Sequence, residues 1–226
     1  MESLTILGKS FAFAFSALLP VIDPIGSALV FLALVGKVPG PVYRNLARKI
    51  GIGTALFLVA VEMAGAGFLS LFGLSLPVVQ VSGGLVLAGM GWSQLNQTDY
   101  TTARDQAQLA AGSLERLERK IFYPLTFPVT AGPGAVVVML TLSAHFSDKS
   151  TLDNVMAHLG IVGAVAALSA LVFLSYAYAP KITERISDQT ERGVERVISF
   201  VLLCIGVQIA WNGLESMLKT LLRKDG

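Results

Sequence analysis

Charged side chains are scarce in this 226-residue sequence. Asp, Glu, Lys and Arg make up 14% of it, whereas an ordinary soluble domain carries about 25%. Hydrophobic residues account for 54%, and the mean hydropathy is +0.67. This balance excludes an ordinary soluble domain and indicates an integral membrane protein, whose partner is the lipid bilayer. The few basic loops carry no signal for binding nucleic acid.

Cysteine occurs only once, at Cys204. A single cysteine excludes an internal disulfide and a thiolate metal cluster. The short motifs H-E-x-x-H and G-x-S-x-G and the Walker loop are also absent from the sequence, and each of them is tied to a particular chemistry. We therefore expect no catalytic residues, no metal and no cofactor, and we do not expect an enzyme.

Six apolar runs are long enough to cross a bilayer, which takes about 20 residues each. The sequence thus predicts an all-α polytopic membrane protein with a single transmembrane domain over residues 1–226. We divide it into a first three-helix repeat (1–96), a cytoplasmic connection (97–120) and a second three-helix repeat (121–226). The predicted spans cover about residues 8–35, 51–72, 78–95, 121–144, 158–179 and 197–217.

Lysine and arginine predict the orientation of these spans. Twelve of the 17 basic residues lie in the segments after the first, third and fifth spans, and five lie in the other segments. Because cytoplasmic loops are enriched in Lys and Arg, the first group of segments is expected in the cytoplasm. Both termini are then expected on the non-cytoplasmic side.

Helix-breaking residues interrupt the first and the fourth run. Residues 20–26 read PVIDPIG and residues 128–134 read PVTAGPG. Proline removes a backbone donor and glycine loosens a helix. In hydrocarbon the freed backbone groups must be satisfied by protein or by a water-filled cavity. We therefore predict that helices 1 and 4 are broken mid-membrane, as in many secondary transporters.

The two halves of the chain align with one another. At an offset of 108 the first spans match, with Pro20 on Pro128, and at an offset of 117 the third spans match, with Gly89 on Gly206. Because each half has three spans, an odd number, the second half enters the membrane from the opposite side. The expected architecture is a pair of inverted repeats, which suits alternating access.

The two breaks form the candidate substrate site. A half-helix that starts at a break presents free N–H groups and the positive end of its dipole, which suit a carboxylate. The half-helix before it ends in carbonyls, which suit an ammonium group or Na⁺. A zwitterionic amino acid carries both charges; the alternative is that the prolines only kink packed helices. The candidate substrate-binding residues are Asp23, Pro24, Gly26, Ser27, Thr130, Gly132, Pro133 and Gly134.

Asp23 and Glu62 are the candidates for proton or ion coupling, because an acid inside a span is costly and often functional. Asp23 either couples a proton or receives the substrate ammonium, and capping of a half-helix is its alternative role. Glu62 is expected mid-span without a basic partner in a neighbouring span, as a proton relay or a hydrogen-bonded structural acid. His145 and His158 are expected at the membrane interface.

Four stretches of the sequence carry a family resemblance. They are residues 23–26 (DPIG) with Phe31 and Leu32, 72–77 (FGLSLP) with Gly83 and Gly84, 131–135 (AGPGA), and Val207-Gln208 with 212–214 (NGL). Together they resemble the MarC family of bacterial inner-membrane proteins, also called the small neutral amino acid transporter family. The resemblance implies six spans, a location in the bacterial plasma membrane and transport of glycine, alanine and similar amino acids by some members. One departure is Leu29, where the family often has proline.

The expected function is therefore secondary transport of small neutral amino acids by alternating access, coupled to protons or sodium. Its partners would be a small zwitterionic substrate and the bilayer, and association into a homo-oligomer is left open. The alternatives are an exporter of another small metabolite and a membrane protein without a transport function.

Overall fold

The computed structural model describes residues 2–36, 38–96, 121–145, 151–183 and 188–222. Every regular element in these ranges is helical, which confirms the all-α prediction for this part of the chain. The predicted connection 97–120 lies outside the described residues. The helices are α1 (Glu2–Ile22), α2 (Pro24–Val35), α3 (Gly40–Leu71), α4 (Leu76–Asn96), an irregular segment (Ile121–Thr130), α5 (Pro133–His145), α6 (Thr151–Ala177), α7 (Ala179–Thr183) and α8 (Asp188–Leu222).

Four stretches of helix in the described ranges are long and apolar enough to cross a membrane. They are Leu4–Leu32, Leu76–Asn96, Leu152–Ala177 and Arg196–Leu222. The irregular segment and α5 together make a fifth if a bent pair is counted as one span. The four stretches and the bent pair coincide with five of the six predicted spans. The remaining predicted span, at about residues 51–72, corresponds to α3, a helix of 32 residues.

Helix α3 begins at Gly40, well before residue 51, where the second span was predicted to start. The reason lies in the spacing of its apolar residues. Tyr43, Leu46, Ala47 and Ile50 are all buried, and their separations of three and four residues place them on one helical face. The basic side chains between them point elsewhere, so this turn of helix extends beyond the apolar run.

Helix α6 forms the centre of the bundle. Within its span 44% of the residues are buried, against 28–33% in the other three full-length spans. It packs along α1 and α3 and also contacts α2. Small residues allow this close approach: a Cβ added at Gly160 would lie 2.5 Å from the carbonyl oxygen of Leu7, and one added at Gly51 would lie 3.1 Å from that of Ser169.

Helices α4 and α8 pack backbone to backbone through two pairs of glycines. A Cβ added at Gly84 would overlap backbone atoms of Gly206 and Ala210, and a Cβ added at Gly206 would overlap those of Gly84 and Ala88. Close approach at small residues is the usual way in which membrane helices associate. The two helices run antiparallel, because residues later in α4 contact residues earlier in α8.

The second pair of glycines repeats this reciprocity. A Cβ at Gly91 would meet the backbone of Ser199 and Leu203, and a Cβ at Gly213 would meet that of Pro77 and Val81. A separation of 122 positions relates the members of each pair, Gly84 with Gly206 and Gly91 with Gly213. The same separation relates the residues that they contact.

The equivalence at an offset of 117 is therefore wrong for these two helices. That alignment placed Gly89 on Gly206, but Gly89 is exposed and an added Cβ there would have no atom within 4 Å. Glycine and leucine recur so often in an apolar helix that a shift of five residues still produces matches. Only the packing distinguishes one register from the other.

Candidate functional site

Both predicted helix breaks are present, and they occur at equivalent places. Helix α1 ends at Ile22 and α2 begins at Pro24, while the irregular segment ends at Thr130 and α5 begins at Pro133. Ile22 and Thr130 are separated by the predicted offset of 108. The second break bends the chain by 67°, whereas α1 and α2 continue as one span. In that span 19 residues precede Asp23 and 9 follow it.

Asp23 forms the first break and caps the helix that follows. Its backbone is left-handed, with φ 42° and ψ 73°, and its Oδ1 accepts a hydrogen bond of 3.1 Å from the backbone N–H of Gly26. Pro24 occupies the first position of α2, where a missing N–H has no consequence. A Cβ at Gly26 would overlap the Asp23 carboxylate, so glycine is required for this cap.

Ser27 completes the first turn of α2. Its backbone N–H and its hydroxyl both donate to the carbonyl oxygen of Asp23, at 2.9 and 2.7 Å. The side chain is buried. Asp23 and Ser27 therefore stabilise the start of α2 themselves, and the Asp23 carboxylate lies at the positive end of the helix.

The second break is uncharged. Ala131 donates its N–H to the carbonyl of Thr126 at 2.8 Å, and Ala135 donates to the carbonyl of Gly132 at 3.0 Å. Proline occupies the first position of α5, as it does in α2. A Cβ at Gly132 would lie 3.0 Å from the carbonyl oxygen of Pro128, so the turn is tight.

Tyr176 of α6 connects the two breaks. The hydroxyl of Thr130 donates to the carbonyl of Leu125 at 2.6 Å, so the tyrosine hydroxyl, 2.7 Å from Thr130 Oγ1, is the donor of that second bond. The hydroxyl of Ser27 lies near that of Tyr176, although its proton is donated to the carbonyl of Asp23. The ring is fully buried and stacks on Phe31 of α2, with 4.6 Å between the ring centroids.

The role of Tyr176 was not predicted from the sequence. Its only signal is a tyrosine inside an apolar run, since a buried hydroxyl requires a hydrogen-bond partner. The partner, Thr130, is 46 positions away in the sequence, and only the packing of α6 against the second break brings the two residues together.

Gly134 lies where the two breaks meet. A Cβ added there would lie 3.2 Å from Cγ1 of Val21 at the end of α1 and would overlap the side chain of Leu87 from α4. The space beside the start of α5 is therefore narrow and largely apolar. Of the candidate site residues, the structure brings Asp23, Ser27, Thr130 and Gly134 into one region.

The two half-helix starts differ in charge. The Asp23 carboxylate occupies one amide at the start of α2, so this break favours a cation. No acidic residue lies in the first turn of α5, and the positive end of that helix favours an anion. The region offers opposite electrostatic preferences within a short distance.

Glu62 does not belong to this region, and the expectation that it lacks a basic partner is wrong. Its Oε1 contacts Nδ1 of His158 on α6. His158 and Tyr176 are 18 residues apart on α6, about 27 Å along the helix. The two acids predicted to couple ions therefore lie far apart along the bundle.

Comparison with known proteins agrees on one family. Residues 8–218 match the family model described as MarC family integral membrane protein. The inner membrane protein MarC of Escherichia coli O157:H7 is 23% identical over 216 residues, which are 95% of this chain and 98% of that protein. The membrane protein YvbG of Bacillus subtilis (strain 168) is 27% identical over 207 residues, 92% and 95% of the respective chains. No solved structure matches the chain.

Proposed function

Since the chain belongs to the MarC family of integral membrane proteins, we propose that it is a secondary transporter, not an enzyme, and that it carries small neutral amino acids of the glycine and alanine class. The observation that carries the proposal is the joining of the two helix breaks by Tyr176, which contacts Thr130 at one break and approaches Ser27 at the other. Broken helices that meet inside a membrane bundle are the usual substrate site of such transporters.

The charges at the two breaks support a zwitterionic substrate. The second carboxylate oxygen of Asp23 can accept a hydrogen bond from the substrate ammonium group. The start of α5 would receive the substrate carboxylate, since the positive end of the helix dipole favours an anion there. The crowding of Gly134 by Leu87 and Val21 favours substrates with a very small side chain.

Two features support six spans arranged as inverted repeats. The antiparallel packing of α4 on α8 is reciprocal at an offset of 122. Most helix contacts in one half also have an equivalent in the other half. The contact of α1 with α6 corresponds to that of the irregular segment with α3, and the contact of α2 with α6 corresponds to that of α5 with α3. In a carrier of this design, one repeat rocks against the other around a fixed site.

Counterflow in liposomes tests the proposal. The purified protein is reconstituted with unlabelled glycine or alanine inside, and entry of the labelled amino acid is followed at equal pH and equal salt on both sides. Lysine and glutamate serve as comparisons, and protein-free liposomes give the leak. We expect saturable exchange of glycine and alanine, and leak rates for the two charged amino acids.

Two outcomes would contradict the proposal. Exchange of lysine or glutamate as fast as that of glycine would overturn the neutral class of substrate. Leak rates for all four would overturn amino-acid transport and favour an exporter of another small metabolite or a non-transport function.

Where exchange is observed, repeating it against an imposed pH or Na⁺ gradient identifies the coupling ion.

A further inference from the structure

The contact between Glu62 and His158 joins the two halves of the chain. Glu62 lies on α3 in the first repeat, and His158 lies on α6 in the second. The Glu62 side chain is only 4% exposed, while that of His158 is 31% exposed. The hydroxyl of Ser143 on α5 donates to the backbone carbonyl of Glu62 at 3.2 Å. Three helices therefore meet at this pair.

We propose that Glu62 and His158 form a proton-binding site that holds this end of α3 and α6 closed; the inference rests on the transport function proposed above. With one proton shared between Glu62 Oε1 and His158 Nδ1, the pair is neutral as a unit. When the proton is lost through the exposed side of His158, an ionised carboxylate remains beside a neutral imidazole. A buried and uncompensated charge is strongly unfavourable, so loss of the proton favours separation of the two helices and entry of water.

Other polar and charged residues lie at the same end of the bundle as the pair. Asn154 lies four residues before His158 on α6 and shares its face, and its buried Oδ1 accepts no hydrogen bond from the described residues. Among the described residues, this end of the packed helices also carries Glu2 and Lys9 on α1, His145 at the end of α5 and Asp153 on α6. Within the described part of α3, no charged residue follows Glu62.

The position of the pair determines what it controls. It lies about 27 Å along α6 from Tyr176, too far to touch a substrate at the breaks. Closing one end of α3 against α6 closes access to the breaks from that side. By the distribution of Lys and Arg, this is the non-cytoplasmic side. External acidity would then slow transport by holding the outer end shut.

The test compares wild type with Glu62→Gln and His158→Gln, and with the exchanged pair Glu62→His plus His158→Glu. Glycine counterflow is measured with the same pH on both sides, from about pH 5 to pH 8, the interval in which histidine ordinarily titrates. We expect wild-type exchange to be about fivefold or more slower at the acidic end, a ratio within the ordinary range of coupling between sites. Both single variants should lose this dependence, and the exchanged pair should restore it.

Asp153→Asn is the matched control, because it removes a charge from the same end of α6 and leaves Glu62 and His158 in place. It should keep the wild-type pH profile. A wild-type profile in Glu62→Gln and His158→Gln would overturn the proposal, and so would an equal change in Asp153→Asn.

A second measurement does not depend on transport. The thermal stability of each variant in detergent is followed over the same pH interval. We expect wild type to lose stability as pH rises and the pair gives up its proton, with a weaker dependence in both single variants. Parallel curves for wild type and single variants would overturn the proton site. Absence of counterflow in wild type would instead overturn the proposed function, and the stability curves would still decide on the pair.

Discussion

Asp23 has an unusual backbone conformation for a residue inside a membrane span. It is the one residue other than glycine with a positive φ among the described residues. Aspartate and asparagine tolerate this left-handed region better than other side chains, because their short polar groups bond locally. The conformation turns the carboxylate towards the Gly26 N–H. The same residue therefore caps α2 and places a negative charge at the break, and the two roles can be separated by substitution.

Asp23→Asn should preserve the cap and remove the charge. We expect its KM for glycine to rise about tenfold or more, because a hydrogen bond to a charged group contributes about 1.5–3 kcal/mol. Its stability should stay close to wild type. Asp23→Ala should lose the cap as well, which lowers the free energy of unfolding by about 1 kcal/mol. Uptake kinetics in liposomes and unfolding in a denaturing detergent measure the two effects. If Asp23→Asn shows wild-type KM and wild-type response to pH and Na⁺, Asp23 is only a cap.

The pairing of α4 with α8 depends on the absence of side chains at its crossing points. Gly84, Gly91, Gly206 and Gly213 each face backbone atoms of the opposite helix. Backbone cannot move aside as a flexible side chain can, so even one methyl group must push the helices apart. Since membrane helices associate chiefly by close packing, this loss is expected to affect the whole pair.

Gly84→Ala and Gly89→Ala offer a matched comparison on one helix. Gly84→Ala should lower the free energy of unfolding by about 3 kcal/mol or more, at or above the upper end of ordinary overpacking. Gly89→Ala adds the same methyl group where no atom lies within 4 Å, so it should leave stability unchanged or raise it slightly, because alanine is the better helix former. Detergent unfolding measures both. Equal effects would contradict the packing of α4 on α8.

Across the whole molecule, the sequence predicted what depends on local pattern and missed what depends on packing. The two breaks are visible in the residues because proline, glycine and an acid interrupt apolar runs. The contact of Glu62 with His158 joins residues 96 positions apart, and no local pattern indicates which face of α3 meets α6. The same reason explains the missing role of Tyr176. The start of α3 was predicted too late, because the prediction followed the hydropathy of the chain. It did not use the helical spacing of four buried residues, Tyr43, Leu46, Ala47 and Ile50.

The orientation of the whole chain is tested with reporter fusions. Alkaline phosphatase, which is active only outside the cytoplasm, should be active when fused at the C-terminus and inactive when fused after Asn96. Green fluorescent protein, which fluoresces when it folds in the cytoplasm, should give the opposite result at both places. The two fusion sites control for one another. Reversed activities would mean that the basic C-terminal residues, and not the twelve basic residues of the other segments, determine the insertion.

The glycine contacts between α4 and α8 have the form of an isologous interface. In such an interface, two equivalent surfaces make the same set of contacts with each other. Such a surface is self-complementary and is typical of two-fold dimers. Such an interface requires no covalent link between its two sides, because the same surfaces can pair within one chain or between two chains. Positions 84 and 206 therefore share one steric constraint, and a residue too large for one of them is too large for the other.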